Sequence, residues 1–112
     1  MKRDLSKGDM PILILAILAE GPCHGYSIAR EIERRSNNSF TMREGSLYPA
    51  LRVLEQDGFI EGGWDTESGA NARKVYSLTQ EGHAELATRQ QEWHKYVQTF
   101  SRILGGKDAQ KA

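Results

Sequence analysis

Tyr48 and Arg52, four residues apart, define the chemistry this sequence has to offer. On a helix they project side by side. Ser46 and Arg43 then stand at its N-terminal end, where unpaired N–H groups and a partial positive charge attract anions, phosphates included. An aromatic hydroxyl and a guanidinium placed there suit a nucleic-acid groove. The same residues also fit an amphipathic surface helix whose Tyr and Arg are merely solvated, and this stretch taken alone leaves both readings open.

Other chemistries find less support. The histidines are His24, His83 and His94. The last two lie on one expected helix, separated by about 16 Å of rise, too far to share a metal or a proton. Cys23 beside His24 resembles a thiolate pair, but adjacent side chains at a helix start usually diverge. With a single cysteine there is no internal disulfide and no multi-cysteine zinc pattern. The expectation is a non-enzymatic protein with no cofactor and no metal.

The element that must aim Tyr48 and Arg52 is legible. Leu47, Leu51 and Leu54 recur at helical spacing with Ala50 beside them, so one stripe faces a core. Pro49 belongs in a first turn, which places the helix start near Ser46. Gly58 supplies the left-handed stop, and Phe59 and Ile60 begin an extended segment.

Composition sets the outer bounds. The 112 residues, 38% hydrophobic, make one α-rich domain near the size at which dimerisation helps. Fifteen basic and fifteen acidic residues cancel, which counts mildly against nucleic-acid binding. No apolar run approaches the roughly 20 residues that cross a bilayer. The start MKRDLSKGDM does not read as a secretory signal, so a cytoplasmic protein without membrane contact is expected.

In chain order, Lys2, Arg3 and Lys7 read as a mobile basic arm, and Asp9 as the cap of a helix with Pro11 in its first turn. Residues 12–19, ILILAILA, are apolar on every side and predict a helix buried all round. After Gly21-Pro22, a second helix from about His24 to Arg35 turns Ile28, Ala29 and Ile32 inward. Arg30 and Arg34 on its charged face are within reach of a DNA backbone only as secondary candidates. Phe40 and Met42 alternate as in a very short strand. Two helices, a turn and a third amphipathic helix follow the order of a helix-turn-helix.

A hairpin follows, with strands near Phe59–Asp65 and Lys74–Thr79. Arg73 and Lys74 are phosphate candidates at its tip, partly offset by Asp65 and Glu67. Thr79 is the expected N-cap of a last helix reaching Leu104, with a seam of Leu86, Gln90, Trp93, Val97, Phe100 and Leu104 at alternating spacings of four and three. So long an amphipathic helix calls for a second chain to cover it, the alternative being a helix folded back on its own domain. Trp93 fits a tight seam poorly. Either the paired helices diverge there, so that Trp93, Gln90 and Val97 line a gap for a planar aromatic effector, or Trp93 packs on the first helix of its own or the partner subunit. Residues 107–112 read as a disordered tail.

The segments LILAILAEGPCHGYSIAREI, GSLYPALRVLEQDGFIEG and RKVYSLTQEG, in register from Pro11 to Gly82, resemble the PadR family of transcriptional regulators, the phenolic-acid repressor relatives. The single short C-terminal helix resembles the smaller subfamily. The resemblance implies a mainly α, α+β fold: a winged helix-turn-helix over residues 1–79, a C-terminal dimerisation helix over 80–105, and a tail over 106–112. It implies a homodimer that represses by binding a palindromic operator in double-stranded DNA. Matched position by position, Tyr26, Ser46, Leu47, Tyr48 and Pro49 lie in or beside the DNA-reading element, and Arg73 and Lys74 in the wing. The stretch SGANA departs from relatives richer in Arg and Pro, which bears on the wing's contact with DNA. A winged-helix module that binds protein instead of DNA is the competing reading.

Overall fold

The computed structural model describes residues 3–6, 8–65 and 73–105. Its elements in order are β1 (Arg3–Asp4), α1 (Met10–Leu18), β2 (Cys23–His24), α2 (Gly25–Arg35), β3 (Phe40–Thr41), α3 (Glu44–Gln56), β4 (Ile60–Trp64), β5 (Lys74–Leu78) and α4 (Gln80–Leu104). Mainly helical with small sheets, this is an α+β winged helix-turn-helix with a long C-terminal helix. The expected Lys2 and Lys7 of the basic arm, Glu67 and the SGANA stretch of the hairpin tip, and the tail lie outside the described residues.

The core lies between α1, α2 and α3 and is floored by the sheet. Ile14, Leu15, Ile28, Leu47 and Leu51 are fully buried, joined by Ile60 and Tyr76 from β4 and β5. The Leu47, Leu51 and Leu54 stripe packs as its spacing predicts.

Other expectations need correction. Helix α3 begins at Glu44, so Pro49 sits inside the helix and beyond its first turn. Ser46 and Leu47 N–H groups both donate to the Arg43 carbonyl, which starts the helix early. The acceptor that Pro49 leaves unused is the carbonyl of Gly45, an exposed residue, so solvent can reach it. Asp9 does occupy the N-cap of α1, but its side chain makes no capping hydrogen bond.

Helix α1 is not buried all round. Ile12, Leu13 and Ala16 are half-buried and look across to α4. Arg3 is no mobile arm: β1 runs parallel to β3, Arg3 opposite Phe40, and Arg3 and Leu5 N–H groups donate to the Ser39 and Thr41 carbonyls. Leu5 is buried beside them.

The hairpin is part of a three-stranded antiparallel sheet in the order β2-β5-β4. Gly21, at φ +147°, and Pro22 hold the chain extended after α1, and Cys23 and His24 pair with Tyr76 and Val75 before α2 begins at Gly25. That start is one residue later than the sequence implied.

Helix α4 is capped as predicted. The Thr79 hydroxyl oxygen accepts from Gly82 N–H at 3.0 Å and its O–H donates to the Gly58 carbonyl at 2.6 Å. Gly82 packs so closely that a Cβ there would collide with the backbone carbonyl oxygen of Phe59. Within α4 only Gly82 and Leu86, in its first turns, are buried. From Gln91 to Phe100 every residue is exposed, and the molecule is drawn out to 56 × 33 × 20 Å.

Candidate nucleic-acid interface

Tyr48 sits on the flank of α3 that meets the start of α2, and is 41% exposed. Gly25, the first residue of α2, makes that approach possible: a Cβ there would stand 3.0 Å from Tyr48 Cε1 and 3.3 Å from its hydroxyl. Tyr26 follows, 52% exposed, with the Arg30 guanidinium 5.7 Å over its ring. Together with the wing these residues enclose a cleft of about 370 Å³, lined by Tyr26, Tyr48, Trp64, Arg73, Lys74 and Tyr76 among others. Four aromatic rings and two cations thus converge between α2, α3 and the sheet.

The residues nominated from sequence are distributed unequally around this cleft. Tyr26, Tyr48, Arg73 and Lys74 come together in it, and Arg52 is exposed one turn beyond Tyr48, with no carboxylate partner among the described residues. Arg43 is exposed at the N-cap of α3, but its guanidinium pairs with Asp4 at 3.3 Å. Ser46 and Pro49 line a different groove, with Pro11, Val53 and Arg89. Leu47 cannot touch DNA: it is fully buried and belongs to the back of the helix.

Lys74 also departs from expectation, because its ammonium donates to Glu55 at 3.0 Å and lies 5.4 Å from the Tyr76 ring centroid. That hydrogen bond raises the Lys74 pKa above the ordinary lysine value, while burial raises that of Tyr76. Both groups therefore keep their protons at neutral pH. On α2, Arg30 pairs with Glu33, Arg34 with Glu31, and Arg35 with both Glu31 and Glu20, so this charged face is largely self-neutralised.

Trp64, Tyr76 and Gly25 were missed by sequence reasoning. Trp64 carried one signal, its place beside Arg73 and Lys74 across an inferred hairpin. Gly25 carried none, since its purpose is to admit a side chain from another helix.

A second candidate surface runs along α4. Trp93 is 51% exposed, Phe100 50% and Leu104 73%, with Val97 beside them and Tyr96 and Ile103 widening the apolar face. Trp93 stacks on Tyr96 and Tyr96 on Phe100, with centroids 6.1 and 5.5 Å apart. Leu86 is not part of this open stripe, because it is buried in the chain's own core. Trp93 and Gln90 border a groove of about 430 Å³ whose other walls include Leu5, Ile12, Leu13, Ala16 and Phe40. Val97 is not among the residues lining it.

Cys23 does not form the thiolate its neighbour invites. Burial raises its pKa, and the Glu31 carboxylate adds to the shift, so the thiol stays protonated. His24 Nε2 lies 3.6 Å from an Asp65 carboxylate oxygen. Among the described residues no group of three or more His, Cys, Asp or Glu side chains is arranged to hold a metal, and no helix is long and apolar enough to cross a membrane.

Comparison with known proteins agrees with this geometry. Residues 14–88 match the transcriptional regulator PadR-like family. Transcriptional regulator Rv3488 of Mycobacterium tuberculosis is 30% identical over 105 residues, covering 93% of this chain and 91% of its own. The crystal structure of smu.1704 from Streptococcus mutans superposes with a TM-score of 0.80 at 31% identity, covering 96% of both chains. Bacillus subtilis PadR, solved in complex with operator DNA, superposes with a TM-score of 0.68 at 25% identity, over 76% of this chain and 48% of that one.

Proposed function

We propose that this chain, which belongs to the PadR-like family of transcriptional regulators, is a homodimeric repressor that binds a palindromic operator and is released by a planar aromatic effector. The observation that carries DNA binding is the flank of α3, where half-exposed Tyr48 and exposed Arg52, without a carboxylate partner among the described residues, stand beside the cleft that α2 and the wing complete. The likeness to a PadR solved on operator DNA supports placing α3 in the major groove. Tyr48 and Arg52 then face the groove, and Tyr26, Arg43 and Arg73 lie along its margins.

Dimerisation is supported by the uncovered stripe of Trp93, Val97, Phe100 and Leu104. Contiguous apolar surface of that kind marks an interaction site, and a symmetric pair of α4 helices covers it with itself. For the effector, the groove beside Trp93 and Gln90 offers apolar walls and one flat aromatic side.

Binding of a protein partner is the second reading, favoured by one observation: Arg43, Lys74, Arg30, Arg34 and Arg35 are all paired with carboxylates, which leaves little net positive field. Gel-shift titration with duplex from the protein's own promoter region at several salt concentrations decides between the two. Phosphate contacts release counterions, so affinity falls steeply with salt in the first case. No shift at low salt overturns DNA binding.

A further inference from the structure

Glu55 lies in the last turn of α3, where the helix dipole disfavours a carboxylate and where that turn has no basic residue. Its cation comes from the wing. One carboxylate oxygen accepts from Lys74 Nζ at 3.0 Å, on β5, and the other from Gly62 N–H at 3.3 Å, on β4. A single side chain thereby ties the DNA-reading helix to both strands of the wing. Both partners are about one-third exposed, so water screens the pair only in part.

Gly62 adds an independent observation. A Cβ at that position would collide with the Lys74 stem and press on the Glu55 carboxylate. Its φ does not require glycine. A methyl there would instead push the flexible end of Lys74 away from its place beside Glu55.

We infer that Glu55 is a positioning residue for DNA recognition, fixing the angle between α3 and the wing through Lys74 and Gly62, and that Lys74 serves this clamp instead of a DNA phosphate. The inference rests on the DNA-binding reading above and assigns its wing lysine a different task. Because the wing and α3 must reach the duplex together, a wing released from α3 loses specific affinity without losing a phosphate contact.

The test is fluorescence anisotropy with a labelled duplex from the protein's own promoter and a random duplex of equal length, over a range of salt. Glu55→Gln and Lys74→Gln should each weaken promoter binding by about threefold to thirtyfold, within the range of couplings between contacting groups, and the double variant should be no worse than either. The salt slope should stay that of the wild type. Gly62→Ala, which displaces Lys74 while keeping both charges, should weaken promoter binding in the same range. Exchanging the charges, with Glu55→Lys and Lys74→Glu together, should recover part of the loss, because the ion pair is restored while the Gly62 N–H loses its acceptor. If instead Lys74→Gln flattens the salt slope by about one phosphate while Glu55→Gln binds as well as wild type or better, Lys74 is a phosphate ligand and the inference is overturned. Wild-type protein that binds neither duplex overturns the DNA reading and this inference together, an outcome distinct from failure of the clamp alone.

Discussion

Replacing Phe100 by Asp tests whether the free face of α4 holds two chains together. Phe100 is 50% exposed, and its ring contact within the chain is Tyr96. A fully covered aromatic buries about 150–250 Å², so the open half amounts to roughly 100 Å², or about 2.5 kcal/mol at ~25 cal/mol/Å². Two-fold symmetry counts this twice, giving about 5 kcal/mol, and the dimer dissociation constant should rise by three to four orders of magnitude on that area alone. An Asp carboxylate in the seam adds its desolvation. Separate subunits lose the linkage between half-sites, so operator affinity should fall by about a hundredfold to ten-thousandfold although Phe100 lies on the helix remote from the proposed DNA face. Sedimentation at micromolar concentration and anisotropy at one fixed salt read the two effects, and circular dichroism checks that the monomer stays folded. A Phe100→Asp protein that sediments as a dimer and binds operator like wild type would refute the reasoning.

Further outcomes follow from the same geometry. Tyr48→Ala and Arg52→Ala should each weaken operator binding by about 1–3 kcal/mol with the dimer intact, and wild-type affinity in both at one fixed salt would remove α3 from the reading role. Trp64→Phe leaves Trp93 as the remaining indole. Planar aromatic cations or phenolic acids should quench its emission saturably and release operator, and a series that does neither ends the effector proposal. Gly82→Ala should destabilise the fold by roughly 1–3 kcal/mol in thermal unfolding, because the added methyl meets the Phe59 carbonyl oxygen and the Leu78 side chain; an unchanged midpoint contradicts this. Hydrogen bonds from Arg34 and Arg35 lower the Glu31 pKa to about 2 from 4.5. Since the folded value is the depressed one, the contribution of this network is present above pH 4.5 and lost as pH falls toward 2. An NMR titration placing the Glu31 carboxyl near 4.5 would show the network absent.

Local signals determined much of this protein. The Leu47, Leu51 and Leu54 period, the Gly58 stop, the Thr79 cap and the long stripe of α4 depend on neighbours within a few residues, so their patterns are written directly in the chain. Tyr48 and Arg52 were legible for the same reason: helical spacing alone puts them side by side. Tertiary packing decided the rest. No short-range pattern announces that Arg3 pairs with Phe40, or that Cys23 and His24 join β5, because a two-residue strand is stabilised by its partner and not by its own propensity. Lys74 looked like a free cation until the fold brought Glu55 beside it, and Leu86 looked like seam until the first turns of α4 buried it. Gly25 makes room for a ring that arrives from another helix, and Pro49 is accepted within α3 because the carbonyl it leaves unpaired belongs to an exposed residue. In each case the deciding interaction joins groups that only the folded chain makes neighbours, and spacing along the sequence carries no record of it.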